Sequence, residues 1–152
     1  MRTGKRTMGK ILLVEDDPRD VKLTLAALEE HLPAHVVEVV ENGAEALDYL
    51  YRQGKYASRG DTNPMLVLLD NKMPKVNGLE VLKIIKAEFH LRTIPVVALT
   101  SSRETQDLID FYENGANAYV VKPVDFSEFM ETIKQLVIFW ALVNESPLQM
   151  AG

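Results

Sequence analysis

The chain has 152 residues, a formal net charge of −5 and no cysteine. The length suits one domain, and the absence of cysteine excludes disulfides, thiolate zinc sites and thiol nucleophiles. The negative charge argues against nucleic acid as a partner. No apolar run approaches the roughly 18 residues of a membrane span, and none suits a signal peptide. We therefore expect a cytoplasmic protein with no membrane partner.

Short apolar runs alternate with amphipathic stretches five times along the chain. Apolar runs that end abruptly in polar residues are typical of buried strands, and Asp17 before Pro18 is a helix N-cap signal. In chain order the patterns predict a strand over 11–14, a helix from 18, a strand over 36–40, a helix after 43, a loop over 52–63, a strand over 65–69, a helix after 78, a strand over 94–99, a helix over about 103–112, a strand over 118–121 and a last helix from 126 to about 143.

Strands that alternate with helices predict right-handed crossovers and a parallel sheet covered on both faces, which is the α/β class. The predicted domain spans 10–144. We expect the basic segment 1–9 to be a disordered tail and 145–152 to be a C-terminal tail.

Polar side chains follow the predicted strands at the point where each strand ends. Ligands bind beyond the carboxyl ends of the strands in an open parallel sheet, so we expect these side chains to converge at one edge. They are Glu15, Asp16 and Asp17 after the first strand, Asp70 after the third, Thr100 and Ser101 after the fourth, and Lys122 after the fifth.

Carboxylates gathered this closely repel one another unless a cation lies among them. With no His or Cys at these positions, an oxygen-only site favours a hard ion, and we expect Mg²⁺. A lysine and a threonine hydroxyl suit a bound phosphoryl group. A carboxylate between a metal and a lysine can act as a nucleophile toward phosphorus, so the residues predict an aspartyl phosphate.

Four segments resemble the receiver domain of two-component response regulators: LLVEDDP at 12–18, LLDNKMP at 68–74 with Gly78, ALTS at 98–101 and AYVVKP at 118–123. The resemblance covers about 10–143, with the motifs in the family's order. It implies a flavodoxin-like, doubly wound sheet of five parallel strands in the order 2-1-3-4-5. It also implies a single-domain response regulator, with at most slow autophosphatase activity and not otherwise an enzyme, that accepts a phosphoryl group on Asp70 from a sensor histidine kinase.

The resemblance assigns a metal role to four residues. Asp16 and Asp70 would bind Mg²⁺ directly, the backbone carbonyl of Lys72 would complete the protein ligands, and Glu15 would act through water. Asp17 is interpreted as the N-cap of the first helix, with metal binding as the alternative.

The resemblance also assigns the phosphoryl contacts and the switch. Lys122 would pair with the phosphoryl oxygens, and the Lys122–Pro123 peptide is expected to be cis, a form that only proline makes inexpensive. Thr100 would move to bond the phosphoryl group, and Tyr119 would turn inward into the vacated space. The switch would change a surface made by the fourth helix, the fifth strand and the last helix.

The end of the last helix reads LVIFWALV over 136–143 and is apolar all the way round. A helix on a sheet needs only one apolar stripe, so Ile138, Phe139 and Trp140 predict a patch that contacts a partner. With the long loop before the third strand, this extension resembles the small response regulators paired with phytochromes. That resemblance implies a homodimer and a phytochrome-type kinase; the alternative is that the extra turns fold back over the core of the same subunit.

Three other functions fit less well. A phosphatase of the haloacid-dehalogenase type needs a second Asp two residues after its nucleophile, where this chain has Lys72. A nucleotide-binding protein needs a glycine-rich motif after the first strand, where this chain has acidic residues. A degenerate receiver, which binds partners without phosphorylation, would lack some of the residues needed for phosphorylation. Here that set is complete, with Asp16, Asp70, Thr100 and Lys122. The Lys72 side chain either alters hydrolysis of the acyl phosphate or is simply solvated, and the sequence does not identify the downstream protein.

Overall fold

A computed structural model describes residues 9–60 and 62–145. The predicted tails therefore lie almost entirely outside the described residues, at 1–8 and 146–152. Five parallel strands form one sheet in the order β2-β1-β3-β4-β5, which confirms the predicted fold. The strands are β1 Ile11–Val14, β2 Val37–Val40, β3 Leu66–Leu69, β4 Val96–Thr100 and β5 Ala118–Val121.

Helices cover both faces of this sheet. The helices are α1 Pro18–Glu29, α2 Gly43–Tyr51, α3 Gly78–Ala87, α4 Thr105–Glu113 and α5 Phe126–Leu136, and α5 continues into a π-helix over Val137–Val143. Side chains that accept a backbone N–H cap four of them, Asp17, Asn42, Asn77 and Asp125. Within residues 9–60 and 62–145, none of the helices is long and apolar enough to cross a membrane.

The second, third and fourth strands begin later than predicted. The fourth starts at Val96 because Pro95 has no N–H to donate to a ladder, although its carbonyl still accepts the N–H of Val67 at 3.0 Å. The second starts at Val37 because Val36 belongs to a 3₁₀ turn. The third starts at Leu66, one residue later than predicted. The strands end at their predicted residues except the fourth, which ends one residue later, at Thr100.

The core consists of two layers, one on each face of the sheet. Alternate residues of β1 separate into them: Leu12 and Val14 face α2, α3 and α4, and Ile11 and Leu13 face α1 and α5. Because both faces are buried, the central strands are continuous apolar runs.

The apolar end of the last helix is divided between the core and the surface. Val137 and Ala141 are buried in the second core layer, and Trp140 packs against that layer while half-buried. Ile138 and Phe139 are 40% and 49% exposed. The alternative of folding back over the core therefore holds for Trp140, whereas the adjacent residues face solvent.

Candidate functional site

An acidic cluster forms at the carboxyl ends of β1 and β3. The parallel register pairs Val14 with Leu69, so the residues after them are neighbours in space. Carboxylate oxygens of Glu15, Asp16 and Asp70 lie within 4.8 Å of one another. Glu15 and Asp70 are 3% and 9% exposed, while Asp16 is open to solvent.

The burial and crowding of Glu15 and Asp70 raise the pKa values of their carboxyl groups. Burial raises the pKa of Glu15 to about 7; the hydrogen bond from Lys122 opposes this rise and the charge on Asp70 adds to it. Burial also raises the pKa of Asp70, against the charge on Lys122 and the hydrogen bond from Thr100. The site therefore favours a bound proton or another cation, which suits hard divalent metals with oxygen ligands.

Lys122 comes from the end of β5, where its N–H donates to the carbonyl of Thr100 at 2.8 Å. Its ammonium donates to Asp20 Oδ2 at 2.8 Å and to the carboxylate of Glu15. Burial acts to lower the pKa of Lys122, but these two hydrogen bonds together with the negative charges on Glu15 and Asp70 outweigh it, and the pKa is raised. The sequence analysis missed Asp20, although its position one turn after Asp17 on the same helix face was a usable signal.

The predicted switch pair is connected through Ser102. The hydroxyl of Thr100 accepts the N–H of Ser102 at 3.2 Å, and the Tyr119 hydroxyl donates to the Ser102 carbonyl at 3.1 Å. Ser102 Oγ in turn donates to Asp107 Oδ2 in the first turn of α4, at 2.5 Å. Sequence reasoning identified neither Ser102 nor Asp107, because their roles depend on contacts with each other.

The mouth of the site is a cavity of about 480 Å³. Across it, Lys72 Nζ lies 3.4 Å from Glu104 Oε1, and both side chains are 66% exposed. An ion pair as exposed as this contributes about 0–1 kcal/mol to stability. The cavity is lined by Glu15, Asp16, Asp17, Asp20, Asp70, Lys72, Thr100, Ser101, Ser102, Arg103, Glu104 and Lys122.

Two predicted details of the site have different outcomes. Asp17 is confirmed as the N-cap of α1, because its carboxylate accepts the N–H of Arg19 at 2.9 Å. The predicted cis peptide at Lys122–Pro123 is wrong for this structure, since no peptide bond among the described residues is cis. The trans form is the one that X–Pro bonds favour by about 0.5–1 kcal/mol.

Gly78 brings the start of α3 against the loop that carries Asp70. Its N–H donates to the carbonyl of Asn71 at 2.8 Å. A Cβ atom at this position would lie 2.1 Å from the Asp70 carbonyl oxygen and 2.8 Å from the Asn71 Cα. The motif glycine is thus needed for the close approach of backbone to backbone.

Among curated proteins, the chain is similar to the probable methanogenesis regulatory protein FilR2 of Methanothrix harundinacea. The two are 39% identical over 137 residues, which cover 90% of this chain and 86% of FilR2.

The fold is also similar to that of solved response regulator structures, among them the following three. The bacteriophytochrome response regulator AtBRR is 57% identical, with a TM-score of 0.73, covering 91% of this chain and 99% of AtBRR. The phosphorylated cyanobacterial phytochrome response regulator RcpA is 36% identical, with a TM-score of 0.87 and coverages of 93% and 99%. The Mn²⁺-bound form of response regulator Rcp1, a protein of Synechocystis, is 34% identical, with a TM-score of 0.84 and coverages of 91% and 99%.

The sequence-family model of the response regulator receiver domain matches residues 11–134, which is most of the chain. The matched region contains the whole sheet and every residue of the acidic cluster. The chain therefore belongs to the family of response regulator receiver domains of two-component systems, and it is related to the phytochrome response regulators.

Proposed function

We propose that Asp70 accepts a phosphoryl group from a sensor histidine kinase. Receiver domains are phosphoacceptor regulators rather than typical enzymes. In the transfer, the N–P bond of the kinase's phosphohistidine breaks, its electron pair stays on the imidazole, and an Asp70 oxygen forms the new bond to phosphorus. The observation that carries the proposal is the placement of buried Asp70 between the carboxylates of Glu15 and Asp16 and the side chains of Lys122 and Thr100.

The proposed cofactor is Mg²⁺, held by Asp16, Asp70 and the Lys72 backbone carbonyl, with Glu15 acting through water. The fit rests on three carboxylates that supply oxygen atoms within 4.8 Å of one another, two of them with raised pKa values. When bound, such an ion neutralises negative charge that develops on the phosphoryl oxygens. The similar protein Rcp1 binds Mn²⁺ in its solved structure, which supports a divalent metal.

The remaining side chains act on the phosphoryl group after transfer. Lys122 provides a positive charge and Thr100 provides a hydroxyl donor, and both act strongly because both residues are buried. Movement of Thr100 would break its hydrogen bond with Ser102, which also holds Tyr119. In this way phosphorylation changes the surface of α4, β5 and α5, and a further protein, which we do not identify, reads that change.

Replacement of Asp70 tests the acceptor directly. With acetyl phosphate and Mg²⁺ the parent protein should become phosphorylated, and Asp70→Asn should not. Asp17→Asn is the matched control because it removes a carboxylate from the same cavity while asparagine preserves the N-cap. Equal labelling of Asp70→Asn and the parent protein would show that the acceptor lies elsewhere.

We also propose that the cognate kinase is a phytochrome, on the strength of the likeness to AtBRR and RcpA. The proposal places the protein in the cytoplasm, and slow hydrolysis of the acyl phosphate would end the signal. Phosphotransfer profiling against candidate kinases is the test, and a phytochrome should transfer fastest. Faster transfer from kinases of another class would contradict it.

We also propose that the protein forms a homodimer through the end of the last helix. It is supported by exposed Ile138 and Phe139, next to Leu142 and Val143, which are 52% and 57% exposed. Trp140 supports this surface from beneath, where it packs on its own core. Sedimentation should give a dimer mass for the parent and a monomer mass for Ile138→Ser/Phe139→Ala.

The matched control for the dimer is Phe89→Ala, which removes another exposed aromatic side chain at the far end of α3. This variant should keep the dimer mass. A single mass for all three proteins would refute the proposed interface.

A further inference from the structure

The ammonium group of Lys122 has two carboxylate partners, and one of them lies outside the acidic cluster. Nζ donates to Glu15 and also to Asp20 Oδ2, the latter at 2.8 Å. Asp20 lies in the first turn of α1, with a side chain 34% exposed against 8% for Lys122. Within the described part of the chain, Lys122 makes ion pairs with these two carboxylates and none with Asp70.

We propose that Asp20 is a positioning residue that holds Lys122 in its unphosphorylated orientation and competes with the phosphoryl group for it. This inference rests on the proposed function of Asp70. A lysine ammonium has three N–H donors, and the carboxylates of Glu15 and Asp20 accept hydrogen bonds from it here. Its third N–H can reach one phosphoryl oxygen, but a second hydrogen bond to the phosphoryl group requires Lys122 to give up Glu15 or Asp20.

The partner that Lys122 gives up is Asp20 rather than Glu15. Glu15 is 3% exposed, so releasing its charge from Lys122 would leave a buried carboxylate without its hydrogen bond. Asp20 is partly exposed, so water can hydrate its carboxylate when the bond breaks. The hydrogen bond to Asp20 is therefore the easier of the two to break. Because it must break before Lys122 can make a second hydrogen bond to the phosphoryl group, a stronger bond to Asp20 means weaker phosphoryl binding.

Removal of the Asp20 charge should strengthen binding of a phosphoryl mimic. The probe is fluoroberyllate at saturating Mg²⁺, followed by ¹⁹F NMR of the bound form. Asp20→Asn should bind it at least about fivefold more tightly than the parent, because a fully exposed ion pair contributes up to about fivefold and this pair is only partly exposed. Asp17→Asn controls for the loss of one negative charge in the same turn, because its carboxylate does not contact Lys122. It should bind the probe as the parent does.

A double-mutant cycle separates competition for Lys122 from a general effect of Asp20 on the fold. In a Lys122→Ala background, Asp20→Asn should leave fluoroberyllate affinity unchanged, since the contested group is gone. Lys122→Met, which keeps much of the apolar stem, is a second background if the alanine variant does not fold by circular dichroism. A gain that persists in the folded background would overturn the inference.

The outcomes distinguish this inference from the function on which it rests. If the parent protein does not bind fluoroberyllate in a way that Asp70→Asn abolishes, the proposed function fails and the inference fails with it. If the parent protein does bind it through Asp70, but Asp20→Asn binds equally or more weakly, only the role of Asp20 is refuted.

Discussion

Gly78→Ala should reduce both the stability and the phosphorylation of this protein. The added Cβ would lie 2.1 Å from the carbonyl oxygen of Asp70, whereas Cβ contacts essentially never fall below 3.0 Å, so backbone atoms must separate by at least the difference of 0.9 Å. Overpacking of this kind costs about 1–3 kcal/mol. The higher helix propensity of alanine offsets only about 0.5–1 kcal/mol of that.

The consequence can be measured in two ways. Thermal unfolding should shift down by roughly 2–4 °C for each kcal/mol lost in a domain of this size. Labelling by acetyl phosphate should slow by about tenfold or more, because a displacement near 1 Å of a reacting group has effects of up to about a hundredfold. The carbonyl that must move belongs to Asp70 itself, so stability and labelling should fall together.

Gly60→Ala is the matched control, since a Cβ there would have no neighbour within 4 Å. It should unfold and become labelled like the parent. The steric reasoning is refuted if Gly78→Ala matches Gly60→Ala in both its unfolding midpoint and its rate of labelling.

Three further predictions follow from the site and its supports. Because burial raises the pKa of Glu15 to about 7, the metal-free protein should lose stability as the pH rises from about 5 to above 7. Mg²⁺ affinity, measured by calorimetry, should rise over the same range because protons compete with the metal. Glu15→Gln should flatten the dependence of stability on pH, and an unchanged dependence would contradict the raised pKa of Glu15. Asn77→Ala removes the capping box formed with Glu80 and should lower the free energy of unfolding by about 1 kcal/mol in urea denaturation, with no loss expected if the cap is irrelevant. Ser102→Ala removes the hydroxyl bonded to Asp107 and should speed amide hydrogen exchange in the first turn of α4; unchanged exchange there would show that this bond does not hold the helix start.

The predicted strands and helices depend on local signals. Apolar runs, the N-cap Asp17 and the Asn42-Gly43 turn act over a few residues, so they can be read from the chain alone. Boundaries were less accurate where a neighbouring residue could not pair, as at Pro95. The convergence of Glu15, Asp16 and Asp70 followed from the parallel sheet, because all its strands end at one edge.

The details of that edge required the folded chain. Lys122 and Glu15 are 107 positions apart, and nothing near either residue indicates their hydrogen bond. The partnership of Asp20 with Lys122 depends on how the first turn of α1 is placed relative to the residue that follows β5. For the same reason the trans peptide before Pro123 contradicted an expectation taken from motif resemblance.

The α/β alternation, the acidic cluster and the resemblance to receiver domains could be predicted from the chain alone, because periodicity, caps and strand ends are local properties of a chain. The folded structure was needed to show that Asp20 shares Lys122 with Glu15, and that Trp140 faces its own core while Phe139 faces solvent. Contacts between distant residues depend on the relative placement of whole elements, which no local pattern encodes.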